Sequence, residues 1–229
     1  MDRIYAIGDI HGRLDLLERA IDAIRRDIDA HGPAALTVTL GDYIDRGPSS
    51  AGVIERLSRN PFPTPYVALK GNHEDYLERF LTDPSIAERW RRNGGVETLH
   101  SYAVPVTDVM MGRNYNAAAK ALAEALPPAH RDFIAGLEYS HATERYFFCH
   151  AGVRPGIPFA EQSDEDLIWI RHEFLSSMQD FGKRIIHGHT PVDEPEVRPN
   201  RINIDTGAFA TGRLTCIALD GDGHRFLEV

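Results

Sequence analysis

The stretch Gly41-Asp42-Tyr43-Ile44-Asp45-Arg46-Gly47 decides how this 229-residue chain is read. The run before it, Ala35-Leu36-Thr37-Val38-Thr39-Leu40, has the apolar, β-branched character of a buried strand. Gly47-Pro48 breaks that pattern and opens a turn. Two carboxylates and a guanidinium are thereby set just past the carboxyl end of a strand, where open α/β sheets place their ligands. Taken alone, Asp-x-x-Asp-Arg is an ordinary solvated loop. Four more stretches of the same kind change that reading: Gly8-Asp9-Ile10-His11-Gly12, Gly71-Asn72-His73-Glu74, His150-Ala151-Gly152 and His187-Gly188-His189. Each follows a short apolar run, and each carries Asp, Asn or His beside glycine.

The flanking sequence gives these stretches a frame. Residues 3–8 read as a strand, and Leu14, Leu16, Leu17, Ala20, Ile21, Ile24 and Ile28 recur at helical spacing over 13–30. His31-Gly32-Pro33 stops that helix. Ser49 and Ser50 are candidate N-caps for a helix over 50–59, and residues 66–70 read as a third strand. Strand alternating with helix predicts a parallel sheet with helices packed on it. A helix then runs from His73 to about Phe80, with Glu74 and Asp75 as first-turn acids favoured by its dipole. Residues 83–137 read as helical pieces broken by Gly and Pro, a helical insertion in a single domain spanning 1–229; 117–126 is the clearest of them. Arg91-Arg92-Asn93-Gly94-Gly95 within it either borders the site or is a helix end with surface charge. From 137 the pattern turns to β: a hairpin of 137–142 and 145–149, a short helix or turn over 164–171, and a strand from 184 ending at His187. Strands over 201–204, 213–219 and 224–229 are expected to complete a sheet, the last two joined at Asp220-Gly221-Asp222-Gly223.

Composition bounds the function classes. Hydrophobic residues at 42% and charged residues at 26% suit a soluble globular protein. No segment is apolar enough to span a bilayer, and the early strand leaves no place for a signal peptide. Cys149 and Cys216 lie in strand-like runs and read as buried free thiols, which fits a reducing cytoplasm. A net charge of −9 argues against a duplex nucleic-acid binder. A small phosphate site remains open, because local arginines and metal ions can reverse the field there.

Asp9, His11, Asp42, Asn72, His150 and His187 form a donor set of carboxylate, imidazole and amide oxygen without thiolate. Such a set suits Mn, Fe, Zn or Co, with manganese our first expectation. Six ligands fit two divalent ions sharing one carboxylate, with Asp42 as the natural bridge. Ions about 3.5–4 Å apart can activate a water between them and clamp the oxygens of a phosphoryl group. His73 is then a candidate general acid, Asp45 its partner, and Arg46 a planar fork for phosphate. Arg171 is either a second fork or a structural ion-pair residue. His189 and Thr190 read as support for His187.

Read together, the five stretches resemble the phosphoprotein phosphatase branch of the calcineurin-like metallophosphoesterases, in particular the bacterial and bacteriophage-lambda type of serine/threonine phosphatase. Its pattern G-D-x-H-G, G-D-x-x-D-R-G, G-N-H-E, H-A-G and H-G-H is present intact. The resemblance implies an α/β sandwich of two sheets flanked by helices. It implies one metal on Asp9, His11 and Asp42 and a second on Asp42, Asn72, His150 and His187, with His73 as acid, Asp45 as its partner, and Arg46 and Arg171 on phosphate. It further implies direct attack on a phosphorylated protein or peptide by a metal-bridging hydroxide. The Ser-Ala-Pro-Asn-Tyr-Cys segment of eukaryotic members is absent, and with it the aromatic neighbour of their site. Symmetrical diadenosine tetraphosphate hydrolases look similar but typically lack the second Asp of G-D-x-x-D-R-G, which here is Asp45. That residue favours phosphomonoesters, with dinucleotide hydrolysis as the alternative and a non-catalytic metal-binding module as a third.

Overall fold

In the computed structural model, which describes residues 3–229, the first part of the chain alternates strand and helix. It lays down β1 (Ile4–Ile7), α1 (Leu14–His31), β2 (Leu36–Thr39), α2 (Ser50–Leu57), β3 (Tyr66–Ala68) and α3 (Asn72–Thr82). Short helices follow: α4 (Ala87–Arg92), α5 (Gly95–Ser101), α6 (Thr107–Met110), α7 (Tyr115–Ala125) and α8 (Pro128–Ala135). The remainder is β4 (Ser140–Ala142), β5 (Tyr146–Cys149), α9 (Asp164–Trp169), α10 (His172–Leu175), β6 (Arg184–His187), β7 (Glu196–Val197), β8 (Arg201–Asn203), α11 (Ala208–Thr211), β9 (Cys216–Asp220) and β10 (Gly223–Leu227).

The strands form two sheets, ordered β10-β9-β1-β2-β3 and β4-β5-β6-β8-β7. β1, β2 and β3 run parallel, as the alternation predicts, with Ala6 opposite Val38 and Val38 opposite Val67. Side-chain alternation builds the layers. Ala6, Val38, Phe148, Ile186 and Ile202 share one core joining the two sheets. Their neighbours Tyr5 and Ile7 pack with Leu17, Ile21 and Ile24 of α1. Phe147 and Ile185 pack with Leu167 and Phe174 on the other side of the second sheet. Each such fully buried side chain stabilises the fold by about 1.5–3 kcal/mol, so Leu17→Ala would cost about 2–5 kcal/mol.

Two expectations need correction, and one strand was not expected. The last strands do not complete one sheet: β8 joins β6 in the second, whereas β9 and β10 extend the first beside β1. All are strands of three to five residues, and nothing local distinguishes which sheet will accept them. β7 lies at a sheet edge and had no apolar run to mark it. Ser49 occupies the N-cap position of α2 without a side-chain capping bond, while Ser50 turns its hydroxyl to the Asp45 backbone N–H at 3.0 Å.

Cys149 and Cys216 are buried free thiols, and burial pushes both thiol pKa values up. No helix among the described residues is long and apolar enough to cross a membrane.

Candidate active site

Strand ends supply the site. Asp9 and His11 follow β1, Asp42 follows β2, Asn72 and His73 open α3 beyond β3, and His150 follows β5. All are buried. Asp42 is shared by two groups of potential ligands: with His11 and His73 on one side, and with His150 and His189 on the other. Within each group the ligand atoms lie within 4.8 Å of one another. His11 Nε2 is 3.4 Å from Asp42 Oδ2, and His150 Nε2 is 3.3 Å from Asp42 Oδ1 and 3.0 Å from Asn72 Oδ1. Backbone carbonyls orient two of the rings: Nδ1 of His11 donates to Ile44 and Nδ1 of His150 to Leu40, each over 2.8 Å. That leaves both Nε2 atoms facing Asp42 as bases.

His187, expected among the ligands, lies outside this cluster. Its Nε2 is 3.3 Å from Arg201 Nη1, and its ring stands edge-on to Phe174 at 5.0 Å. Alternation along β6 is the cause: Ile186 faces the other sheet, so Ile185 and His187 fall on the opposite face. His189, two residues on and at φ 68°, turns in instead and brings Nδ1 to 2.7 Å from Asn72 Oδ1. Its backbone N–H also donates to Asp9 Oδ2 over 3.1 Å.

The loops that carry these residues are tightly wound. Among the described residues, five of the eight non-glycine residues with positive φ belong to the site: His11, Asp42, Asp45, Arg46 and His189. Such backbone persists where surrounding structure over-determines it. Glu74 provides part of that constraint. Fully buried, it accepts from the N–H groups of Asp42 at 2.9 Å, Tyr43 at 2.8 Å and Gly71 at 2.9 Å. The reading of Glu74 as a first-turn dipole acid missed this, although its place at the third residue of α3 is a capping-box signal. Two glycines are required by close approach: a Cβ on Gly71 would lie 2.2 Å from Asp42 Oδ1, and one on Gly188 2.0 Å from Asp9 Oδ1.

Asp45 does not join the donor cluster. Its Oδ2 accepts from His73 Nδ1 at 2.6 Å and Trp90 Nε1 at 2.7 Å, and its Oδ1 accepts from Thr98 Oγ1 at 2.5 Å. Burial alone would lower the His73 pKa, but Asp42 and Asp45 together raise it. Arg46 sets its guanidinium 3.1 Å from His11 Nε2 and 3.2 Å from His73 Nε2, beneath the ring of Phe209 at 4.6 Å. Phe209, half exposed and 5.4 Å from the His11 ring, gives the rim an aromatic residue that no motif announced. Arg171 donates from Nη2 to the His189 carbonyl at 3.4 Å, so it borders the site. Burial foremost, with His150 and Arg171 among the neighbouring charges, lowers His189 to about 2.

The residues fit a divalent metal centre. Asp9 Oδ1 and His189 Nε2 are buried without a hydrogen-bond partner, an arrangement that costs about 1–3 kcal/mol per group unless something else satisfies it. Burial and then Asp205 raise the Asp9 carboxyl, whereas the ring of histidines overcomes burial and holds Asp42 well below the usual range. Asp205 is driven up to about 6 by burial and then by Asp42. A cation among these groups would favour their charged forms.

Comparison with known proteins agrees. The chain is 28% identical to serine/threonine-protein phosphatase 2 of Escherichia coli, over 93% of this chain and 90% of that protein. It is 26% identical to the asymmetrical bis(5'-nucleosyl)-tetraphosphatase PrpE of Halalkalibacterium halodurans, over 92% and 87%. The cold-active protein-tyrosine phosphatase of a psychrophilic Shewanella shares the fold at a TM-score of 0.63 and 14% identity, over 100% of this chain and 81% of that one. The profile of the calcineurin-like phosphoesterases matches residues 2–214. Fold, donor chemistry and relatives thus meet on one conclusion: the chain belongs to the calcineurin-like phosphoesterase family.

Proposed function

We propose that the protein is a metal-dependent phosphomonoesterase that removes phosphate from phosphoserine and phosphothreonine in proteins. One observation carries the choice: the 2.6 Å pair of His73 Nδ1 with Asp45 Oδ2. An alkoxide is a poor leaving group and needs a proton as the P–O bond breaks. His73, held through Nδ1 and made more basic by Asp42 and Asp45, is suited to deliver one from Nε2. A nucleotide anhydride leaves more readily and has less use for such an acid. Arg46 offers a fork to the phosphate oxygens beside His73, and Arg171 a second from the His189 side. Divalent ions held by Asp9, His11, Asp42, Asn72, His150 and His189 would activate water and neutralise phosphoryl charge. Manganese is our first choice for them, and a phosphorylated protein is the proposed partner.

The test sets phosphoserine, phosphothreonine and phosphotyrosine peptides beside diadenosine tetraphosphate, using the manganese-loaded protein and reading kcat/KM for each. Peptide hydrolysis that dominates and vanishes in Asp42→Asn supports the proposal. Dominant nucleotide release would replace it with the dinucleoside polyphosphate reading, which the PrpE relative favours.

A further inference from the structure

Three guanidinium groups stand around the cluster without a carboxylate partner among the described residues. Two are Arg46 and Arg171; the third is Arg89, on α4. Its neighbours in the fold differ: Arg79 is held by Asp75, and Arg91 and Arg92 are both held by Glu88. Arg89 instead lies over two aromatic faces, with Cζ 5.5 Å from the Tyr76 ring and 5.3 Å from the Trp169 ring. These rings meet edge to face at 5.1 Å and form a wall beside both halves of the site. The Tyr76 ring is 6.1 Å from that of His73, and the Trp169 ring is 6.0 Å from that of His189. Cation–π contacts fix the direction of an exposed guanidinium only weakly, and leave its N–H donors free for an anion. The wall therefore holds a spare positive charge at the rim of the site, in a chain whose net charge is −9.

We propose that Arg89 binds a second anionic group of the substrate, next to the phosphate that is cleaved. The inference rests on the phosphomonoesterase reading for one source of that group: an acidic or phosphorylated residue beside the target residue. The same chemistry in a dinucleoside polyphosphate is the neighbouring phosphate. Both present oxygen anions to a planar fork, and the Tyr76–Trp169 wall gives the intervening atoms an apolar surface to cross.

The experiment uses the full, manganese-loaded chain and paired phosphoserine peptides that differ only in Asp or Asn beside the phosphoserine. The readout is the kcat/KM ratio of the acidic to the neutral peptide in wild type, Arg89→Gln and Arg89→Lys. The ratio is expected to be roughly tenfold in wild type, to fall towards one in Arg89→Gln, and to survive for the most part in Arg89→Lys. An equal ratio in wild type and Arg89→Gln overturns the inference, whatever happens to absolute rates, because Arg89 would then only prop Tyr76 against His73. A wild-type protein that ignores peptides but cleaves diadenosine tetraphosphate sinks the phosphoprotein reading alone. In that case the ratio of diadenosine tetraphosphate to p-nitrophenyl phosphate decides: its loss in Arg89→Gln supports the subsite, and its persistence overturns it.

Discussion

Trp90 Nε1 donates to Asp45 Oδ2 over 2.7 Å, and that same oxygen accepts from His73 Nδ1 over 2.6 Å. The indole belongs to α4, so the helical stretch between residues 83 and 137 supplies a group that positions the proposed acid. Thr98 of α5 fixes the other carboxylate oxygen. Asp45 is thus saturated by donors and cannot swing away from the imidazole without leaving a buried indole N–H unpaired.

Replacing Trp90 by Phe keeps an aromatic ring against Phe80, whose centroid is 4.9 Å away, but removes the N–H together with the second ring of the indole. The variant is expected to lose roughly tenfold to a hundredfold in kcat on phosphoserine and much less on p-nitrophenyl phosphate, whose leaving group needs little protonation. Equal losses on the two substrates would place Trp90 in general packing instead.

His73→Asn removes the proposed acid while leaving Asp9, His11, Asp42, Asn72, His150 and His189 in place. Turnover of a phosphoserine peptide is expected to fall by roughly 10²–10⁴-fold, with bound metal per chain unchanged by elemental analysis. Unaltered turnover would remove His73 from the mechanism.

His189 and His187 should separate cleanly in metal content. His189→Ala is expected to lose part of the manganese retained after dialysis, whereas His187→Gln retains it, because His187 faces Arg201 and Phe174. Chelation of the wild type should abolish hydrolysis and lower Tm, since ions that bind the folded chain stabilise it by mass action. Full metal content in His189→Ala would contradict the placement of that residue.

Far from the site, Asp27 of α1 accepts from Tyr5 Oη at 2.7 Å and from Arg225 Nη1 at 2.7 Å, with Arg3 Nη1 at 3.6 Å. Burial works to raise its pKa, but Arg225 and Tyr5 more than offset this and lower it. A depressed carboxylate stabilises the fold fully above its unfolded pKa of about 3.9, and loses that contribution as pH falls through the folded value. Asp27→Asn should therefore cost about 1–3 kcal/mol near neutral pH, and its Tm should approach that of wild type below about pH 4. A Tm gap independent of pH would show that the charge of Asp27 is not what matters.

Much of this was legible in the chain itself. Helical spacing from Leu14 onward, the apolar run before Gly41 and the parallel strand–helix alternation are local patterns, and local periodicity dictates them. The ordered stretches around Asp9, Asp42, Asn72 and His150 likewise announce their chemistry, because oxygen and nitrogen donors beside glycine at strand ends have few other uses. The structure brings Asp42 and His150 into one cluster, with Asn72 and Asp9 hydrogen-bonded at its edge to His150 and to the His189 backbone.

What the tertiary structure alone decided concerns direction and distant partners. Whether His187 or His189 enters the cluster turns on the face each side chain takes as β6 ends, and a His-Gly-His triplet does not encode that. The sheet that accepts β8 or β9 is settled by pairing across the chain, as with Ile202 opposite Ile186 and Ala218 opposite Tyr5. Trp90 on Asp45, Phe209 on Arg46 and Arg89 on Trp169 join residues 45, 163 and 80 positions apart. Contacts of that span leave no periodic trace, because they form only when packing of the two sheets and their helices brings separate loops to one rim.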